Sequence, residues 1–237
     1  MKDILFYTFC SDFYQPIKHI MVNSFRHFHP EYELRVIEGD ELKSFSMEQN
    51  VEEMQGITST FGRLHASEYS TLVHIDIDSI ILGRLDEVFT KDYEVAGTLN
   101  NSVIDPKISC FGVSDTMYLN YGFTACRSSV FWEVLDYTVR RTWRRFPFWE
   151  QDIYNILFYG LNNKIEVLDT YAWYGCSSRG RWKEMQRTTD PSTGLDKIML
   201  DHKQVKIVHW AGGQSEGKLN YHDSFSPDVA AFVDSIL

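Results

Sequence analysis

Apolar, β-rich runs alternate with helical patterns from the first residues of this chain, and that alternation limits the folds open to it more than any other feature. "DILFYTF" (3–9) is a short strand-type run. "PIKHIMVNSFRHF" (16–28) then places Ile17, Ile20, Met21, Ser24, Phe25 and Phe28 at helical spacing behind a proline suited to a first turn. "YELRVIEG" (32–39) reads as a second strand, "TSTFGRLHASEYS" (58–70) as a helix entered through Thr or Ser caps, and "TLVHIDI" (71–77) as a third strand. "YEVAGT" (93–98), "GFTACR" (122–127), "KIEVLD" (164–169) and "VKIVHW" (205–210) read as further strands. Helices are expected over 128–146, capped by Ser128 or Ser129, and over 149–160, stopped by Gly160. Strands and helices in this order imply an α/β fold, with right-handed crossovers and a mainly parallel central sheet flanked by helices. "RGRWKEMQRTTDPSTGLDK" (179–197) is rich in polar and turn residues and reads as a mobile loop whose ends could equally be short helices.

At 237 residues the chain is long enough for one substantial core, and a single domain over 1–237 is expected. A net charge of −10 counts against nucleic acid or an anionic membrane as partner, because both need basic patches. The arginines of "RRTWRR" (140–145) read instead as a solvated face at a helix C-terminus, where cations complement the dipole. Cys10, Cys110, Cys126 and Cys176 are widely spaced, with no C-x-x-C pair. Reduced, mostly buried thiols and a cytoplasmic setting are the expectation. "MKDILFYTFCSDF" lacks the form of a signal peptide, and no apolar run approaches transmembrane length. Neither G-x-G-x-x-G after the first strand nor G-x-x-x-x-G-K-[ST] occurs.

"LVHIDIDSII" (72–81) carries two carboxylates into an apolar strand. Residues two apart on a strand share a face, so His74, Asp76 and Asp78 would point one way and Val73, Ile75 and Ile77 the other. Like charges in a dry place repel and lose hydration unless a cation sits between them or the strand end opens into a cleft. A divalent metal suits hard oxygen ligands and keeps positions for phosphate oxygens. The alternative is that Asp78 and Ser79 begin the next turn and Asp76 caps a local group.

The surrounding block "FGRLHASEYSTLVHIDIDSIILGRLDEVF" (61–89) resembles the central segment of GT-A-fold glycosyltransferases, especially family 8, the group of glycogenin and bacterial lipopolysaccharide galactosyltransferases. It has the aromatic-x-R-L helix start (Phe61, Arg63, Leu64), the apolar strand ending in D-x-D (Asp76, Asp78), and then a short "GRLDEVF" helix. "YLNYGFTACRSSVFWEV" (118–134) is similar to the family's F-N-x-G strand, through Asn120 and Gly122. "FWEQDIYNILFYG" (148–160) is similar to its D-Q-D helix start, through Glu150, Gln151, Asp152 and Asn155. "VKIVHWAGGQSEGK" (205–218) is similar to its terminal segment, through His209 and Gly212. Three departures stand out. Ser215 occupies the place of the family's lysine, with Lys218 three positions on, Glu150 replaces an Asp, and Thr8-Phe9-Cys10 follow the first strand.

The resemblance implies a GT-A (Rossmann-like) fold, with a nucleotide-binding part over about 1–100 and an acceptor and sugar part over about 101–237. The implied activity is transfer of a hexose from a nucleoside-diphosphate sugar, a UDP-sugar before a GDP-sugar, to a glycan or other acceptor hydroxyl. Asp78 and His209, with Asp76 on the metal or on the ribose, would hold Mn2+ or Mg2+; imidazole ligation favours manganese. For His209 alone, a hydrogen-bonded histidine ending a strand is the other reading. Thr8, Phe9, Arg63, Asp76, Ile77, Gly212 and Lys218 are the implied nucleotide and donor contacts, with Phe9 or Tyr7 stacking on the base. Arg63 could instead form a surface salt bridge with Glu68 or Asp86. Asn120, Gln151, Asp152 and Glu150 are the implied catalytic group: Gln151 under the anomeric carbon of a retaining enzyme, or Glu150 or Asp152 as base of an inverting one. Retention is the favoured outcome. Trp143, Trp149, Trp173, Tyr174, Trp182 and Trp210 include candidate platforms for an acceptor sugar. Two rivals stay open. One is a haloacid-dehalogenase-type phosphohydrolase, which wants its D-x-D on the first strand; the other is a catalytically silent nucleotide- or carbohydrate-binding module.

Overall fold

The computed structural model describes residues 2–45, 56–100, 106–161, 164–168, 181–210 and 221–237. In chain order the strands are β1 (Lys2–Cys10), β2 (Glu33–Glu38), β3 (Tyr69–Ile75), β4 (Ser79–Ile81), β5 (Val95–Leu99), β6 (Leu119–Cys126), β7 (Ile165–Leu168), β8 (Gln186–Thr189), β9 (Asp196–Leu200), β10 (Lys203–Gln204) and β11 (Ile207–His209). The helices are α1 (Lys18–Phe28), α2 (Gly39–Phe45), α3 (Ile57–His65), α4 (Glu87–Thr90), α5 (Pro106–Ser109), α6 (Ser129–Thr142) and α7 (Trp149–Leu161); Tyr221–Ser224 and Pro227–Ile236 are helical near the end.

The central sheet has the order β2-β1-β3-β6-β5-β7. β1 pairs parallel with β2 and β3, β5 pairs parallel with β7, and only β6 is reversed between β3 and β5. The sheet is therefore mixed but mainly parallel. One face packs on α3, α6 and α7 through Tyr7, Phe61, Trp132 and Tyr154; the other packs on α1 through Phe6, Met21 and Phe25. α1 buries Ile20, Met21, Ser24 and Phe25, the stripe that the helical spacing marks, while Pro16 falls in a preceding 3-10 turn, Asp12–Ile17.

Several local expectations are corrected. β3 ends at Ile75, so Asp76 and Asp78 are not strand residues. The Asp76 N–H donates to Gly122 O at 2.8 Å, and Ile77–Asp78 then turn into β4. This turn lets both carboxylates leave the dry sheet. The N-cap of α3 is Gly56, in the left-handed region (φ 75°), with no Thr or Ser side-chain cap. Its first N–H groups are met by Glu150 of α7 instead: Gly56 N donates at 2.8 Å and Ser59 N at 3.0 Å. Of the two serines before α6, Ser128 is the cap, accepting from Phe131 N at 3.2 Å. α7 continues through Gly160 to Leu161.

Of the stretch expected as a mobile loop with ends that could be short helices, residues 181–184 form a 3-10 turn, while 186–189 and 196–197 are strand. β8 and β9 pair antiparallel, closed by a turn in which Gly194 takes φ 70°, and β10 adds a third strand. Arg187 and Thr189 both bond Asp196 across the hairpin, and Lys197 bonds Asp190. Beneath it Trp182, Ile198, Leu200, Trp210 and Phe225 form a core with the last helix.

Candidate functional site

The site is built where β3 ends. β4 and β11 pair antiparallel, with His209 opposite Ser79, and the Trp210 N–H donates to Asp78 O at 3.0 Å. These backbone bonds bring residue 209 to the D-x-D turn. His209 Nε2 lies 2.9 Å from Asp78 Oδ1 and 3.3 Å from Asp76 Oδ2. One ligand atom from each of Asp76, Asp78 and His209 falls within 4.8 Å of the others. His209 and Asp78 are buried, whereas the Asp76 side chain is 39% exposed. Partial loss of solvent at the cleft wall opposes ionisation of Asp76, but the hydrogen bond from His209 and the nearby imidazoles hold its carboxyl below the usual range. Two carboxylates and an imidazole, open on one side, are a donor set suited to a divalent cation that keeps positions for phosphate oxygens.

The cleft next to this cluster is lined by Phe9, Tyr14, Ile57, Thr58, His74, Asp76, Ile77, Asp78, Asn120, Gln151 and His209. An adjoining hollow shares Thr58, His74, Asp76 and Gln151 and adds Tyr121, Gly122, Phe148, Trp149 and Glu150. Asn120 Oδ1 accepts from Gly122 N at 2.8 Å. Gln151 is held at both ends, its Oε1 accepting from Tyr121 N at 3.0 Å and its Nε2 donating to Tyr118 OH at 3.1 Å. Asn155, one turn on, locks α7 to β6 by accepting from Leu119 N and donating to Leu119 O.

The structure thus brings together Phe9, Asp76, Ile77, Asp78, Asn120, Gln151 and His209, with Glu150 on the adjoining hollow. Glu150 also accepts from Tyr121 OH at 3.2 Å, and burial raises its carboxyl to about 7 despite these bonds. Asp152 is fully buried and accepts from Tyr118 OH at 2.6 Å and Phe148 N at 3.0 Å. Thr8 is buried in β1, behind the cleft. Arg63 lies away from the cleft lining, on the α6 side of α3, where it donates to Asp136 at 2.6 Å. Its ion-pair partner is therefore Asp136, not Glu68 or Asp86, because a residue on this face of α3 meets α6. Tyr7 is corrected as a stacking candidate: it is fully buried with its ring 4.4 Å from Phe61, which leaves Phe9. Gly212, Ser215, Lys218, Trp173, Tyr174 and Cys176 lie outside the described residues.

Sequence reasoning missed Tyr14 and gave Thr58 only a capping role. Tyr14 follows β1 on the 3-10 turn, and burial, then the charges of Asp78 and Asp76, push its hydroxyl up to about 12. A residue in an irregular turn carries no periodicity that would have marked it. Trp182 and Trp210 are core residues, Trp143 is partly buried, and Trp149 is 47% exposed on the adjoining hollow. Arg140, Arg141, Arg144 and Arg145 are exposed, as expected of a solvated face. Cys10 and Cys126 are buried free thiols, and Cys110 is an exposed one. Among the described residues no helix is long and apolar enough to cross a membrane.

No protein-family model matches the chain, and no curated protein matches it. Solved structures do match. The galactosyltransferase LgtC, in complex with donor and acceptor sugar analogs, is 16% identical, with TM-score 0.60 over 98% of this chain and 96% of that one. The WbbM bifunctional glycosyltransferase is 14% identical, with TM-score 0.60 over 99% of this chain and 52% of that one. A glycosyltransferase involved in glycosylation of the major capsid of PBCV-1 is 12% identical, with TM-score 0.58 over 93% of this chain and 98% of that one. The likeness extends over almost the whole chain, and the chain has the α/β GT-A fold of these glycosyltransferases.

Proposed function

We propose that the chain is a metal-dependent glycosyltransferase that moves a hexose from a nucleoside-diphosphate sugar, specifically a UDP-sugar, to a hydroxyl of a glycan or other acceptor. The observation that carries this reading is the Asp76–Asp78–His209 cluster, set in one cleft with Asn120 and Gln151. These three residues would hold manganese in preference to magnesium, because one ligand is an imidazole. Such an ion, when bound, supplies Lewis acidity to the leaving diphosphate. A chain of net charge −10 also needs a cation to receive that dianion.

Phe9 and Tyr14 wall the nucleoside end, Thr8 and Ile77 contribute backbone, and the reading assigns Gly212 and Lys218 to the donor phosphates. The part over about 1–100 then supplies most of the nucleotide contacts, and the part over about 101–237 the sugar and acceptor side, with His209, Gly212 and Lys218 reaching back to the metal and phosphates. Asn120 and Gln151 face the transferred sugar. The Gln151 amide oxygen accepts one backbone hydrogen bond and keeps a lone pair for the anomeric centre. Glu150 accepts from Gly56 N, Ser59 N and Tyr121 OH, and the fully buried Asp152 accepts from Tyr118 OH and Phe148 N, which makes both of them positioning residues in place of the base that an inverting route would take from this pair. That supports retention over inversion. Free thiols at Cys10, Cys110 and Cys126 support a cytoplasmic setting.

The test is release of nucleoside diphosphate from a panel of UDP- and GDP-hexoses. Release from a UDP-hexose that requires manganese and stops with chelator is expected, and NMR of the product glycoside should show the donor's anomeric configuration retained. Release of inorganic phosphate from phosphomonoesters instead would favour the phosphohydrolase. Metal-dependent binding of nucleotide without turnover would favour the silent module.

A further inference from the structure

Gln151, which the reading above sets against the anomeric centre, is the middle of a hydrogen-bond chain that can run in one direction only. Its Oε1 accepts from Tyr121 N at 3.0 Å, and its Nε2 donates to Tyr118 OH at 3.1 Å. The Tyr118 hydroxyl donates in turn to Asp152 Oδ1 at 2.6 Å, and Asp152 Oδ2 accepts from Phe148 N at 3.0 Å. Both ends of the chain are backbone N–H groups, and these can only donate. Tyr121 N therefore fixes which end of the Gln151 amide is oxygen, and Nε2 is left facing Tyr118. A phenol has one proton, so a phenol that accepts from Nε2 must hand that proton to Asp152, which accepts at both oxygens. Reversing any member would set two donors against each other. Tyr118 and Asp152 are fully buried, where an unmatched polar group is costly. Burial, then the bond to Asp152, push the Tyr118 hydroxyl well above its ordinary value, so it keeps the proton that the chain needs.

Positive charge develops at the anomeric carbon during glycosyl transfer, so an amide oxygen there stabilises it and an NH2 group would oppose it. Resting on the retaining glycosyltransferase reading above, we propose that Asp152 and Tyr118 form a positioning relay that locks the Gln151 amide against flipping and keeps its oxygen on the anomeric centre. Asp152 then acts on the reaction through Tyr118 and Gln151, without meeting the donor itself.

The test is a double-mutant cycle on turnover of the UDP-hexose that the wild-type chain uses, with manganese present, over wild type, Tyr118→Phe, Asp152→Asn and the double variant. Tyr118→Phe keeps the ring and removes the hydroxyl. Asp152→Asn keeps the shape, but Phe148 N claims its one oxygen, so its NH2 group faces the Tyr118 oxygen and drives the phenol proton toward Gln151 Nε2. Each single variant should lower kcat about tenfold to a hundredfold, the effect of a misplaced group, with KM for the UDP-hexose within about threefold of wild type. Once Tyr118→Phe is in place that NH2 group meets no phenol, and Asp152→Asn should cost less than about threefold more in kcat. An equal loss from Asp152→Asn with and without Tyr118→Phe, the result for a residue that meets the donor, would overturn the relay. So would an unchanged kcat in either single variant. Should Asp152→Asn fail to fold, Tyr118→Phe decides alone: a lower kcat at steady KM upholds the relay, and an unchanged kcat overturns it. Absence of nucleoside-diphosphate release by wild type, or inversion of the donor's configuration, would sink the reading on which the relay rests, a result distinct from these.

Discussion

Glu150 shows how one side chain can join the two halves of a site. From the first turn of α7 it caps α3 across 94 positions of sequence, and it meets the Tyr121 hydroxyl on the way. The residue is 6% exposed, and burial lifts its carboxyl from 4.5 to about 7. In the unfolded chain it ionises near its ordinary value, so between those pH values the unfolded state sheds a proton that the folded state keeps. Its contribution is therefore complete below about pH 4.5 and is lost as pH rises through about 7. Glu150→Gln lacks this titration. The stability of wild type relative to the variant should fall by about 3 kcal/mol at most from pH 4.5 to 7.5, measured by denaturant unfolding across pH. A pH-independent difference would contradict the assignment. At this scale the sequence pointed to Asp76, Asp78 and His209, because chemistry restricts which residue types can serve there. It did not reveal that Glu150 and Asp152 are engaged by internal donors, since the bonds from Gly56, Ser59, Tyr121 and Tyr118 span separations that leave no local pattern.

Among the elements, the crossing of α3 and α6 is the tightest constraint near the cleft. A Cβ built on Gly62 would stand 2.2 Å from Trp132 Cδ2, and Trp132 is fully buried. Gly62→Ala must therefore displace the indole or part the helices. The expected cost is about 1–3 kcal/mol, the range for overpacked cores, read as a lower unfolding midpoint. An unchanged midpoint would mean that the crossing is looser than described. The long elements were legible because each carries a repeated pattern: α1 its buried stripe, β1 and β3 their apolar runs. β4 has three residues, too few for periodicity, whereas β11 lies within the run "VKIVHW" read as a strand; it is their pairing, which no local pattern encodes, that delivers His209 to the D-x-D turn. The hairpin of β8 and β9 escaped for the opposite reason. β8 is exposed throughout and polar, so its sequence looks like loop, and only the Arg187–Asp196 and Thr189–Asp196 bonds and the core below make it sheet.

On the scale of the whole molecule, a sheet with five strands in one direction and one reversed gathers Phe9, Asp76, Asp78, Asn120, Gln151 and His209 from distant parts of the chain into one cleft. The alternation of strands and helices was enough to infer that architecture, whereas the reversal of β6 depends on pairing that no local pattern encodes. The cleft answers the charge problem posed by "LVHIDIDSII": the carboxylates step out of the sheet at a turn and meet an imidazole where a cation can bind. The central claim is that metal and nucleoside diphosphate share this place. It is tested most directly by thermal stabilisation of the chain by UDP, with and without manganese, in wild type and in Asp78→Ala. Stabilisation by UDP that requires manganese, and that is lost in a folded Asp78→Ala, is the expected result. Equal stabilisation with and without the metal, or full metal-dependent stabilisation of Asp78→Ala, would contradict it.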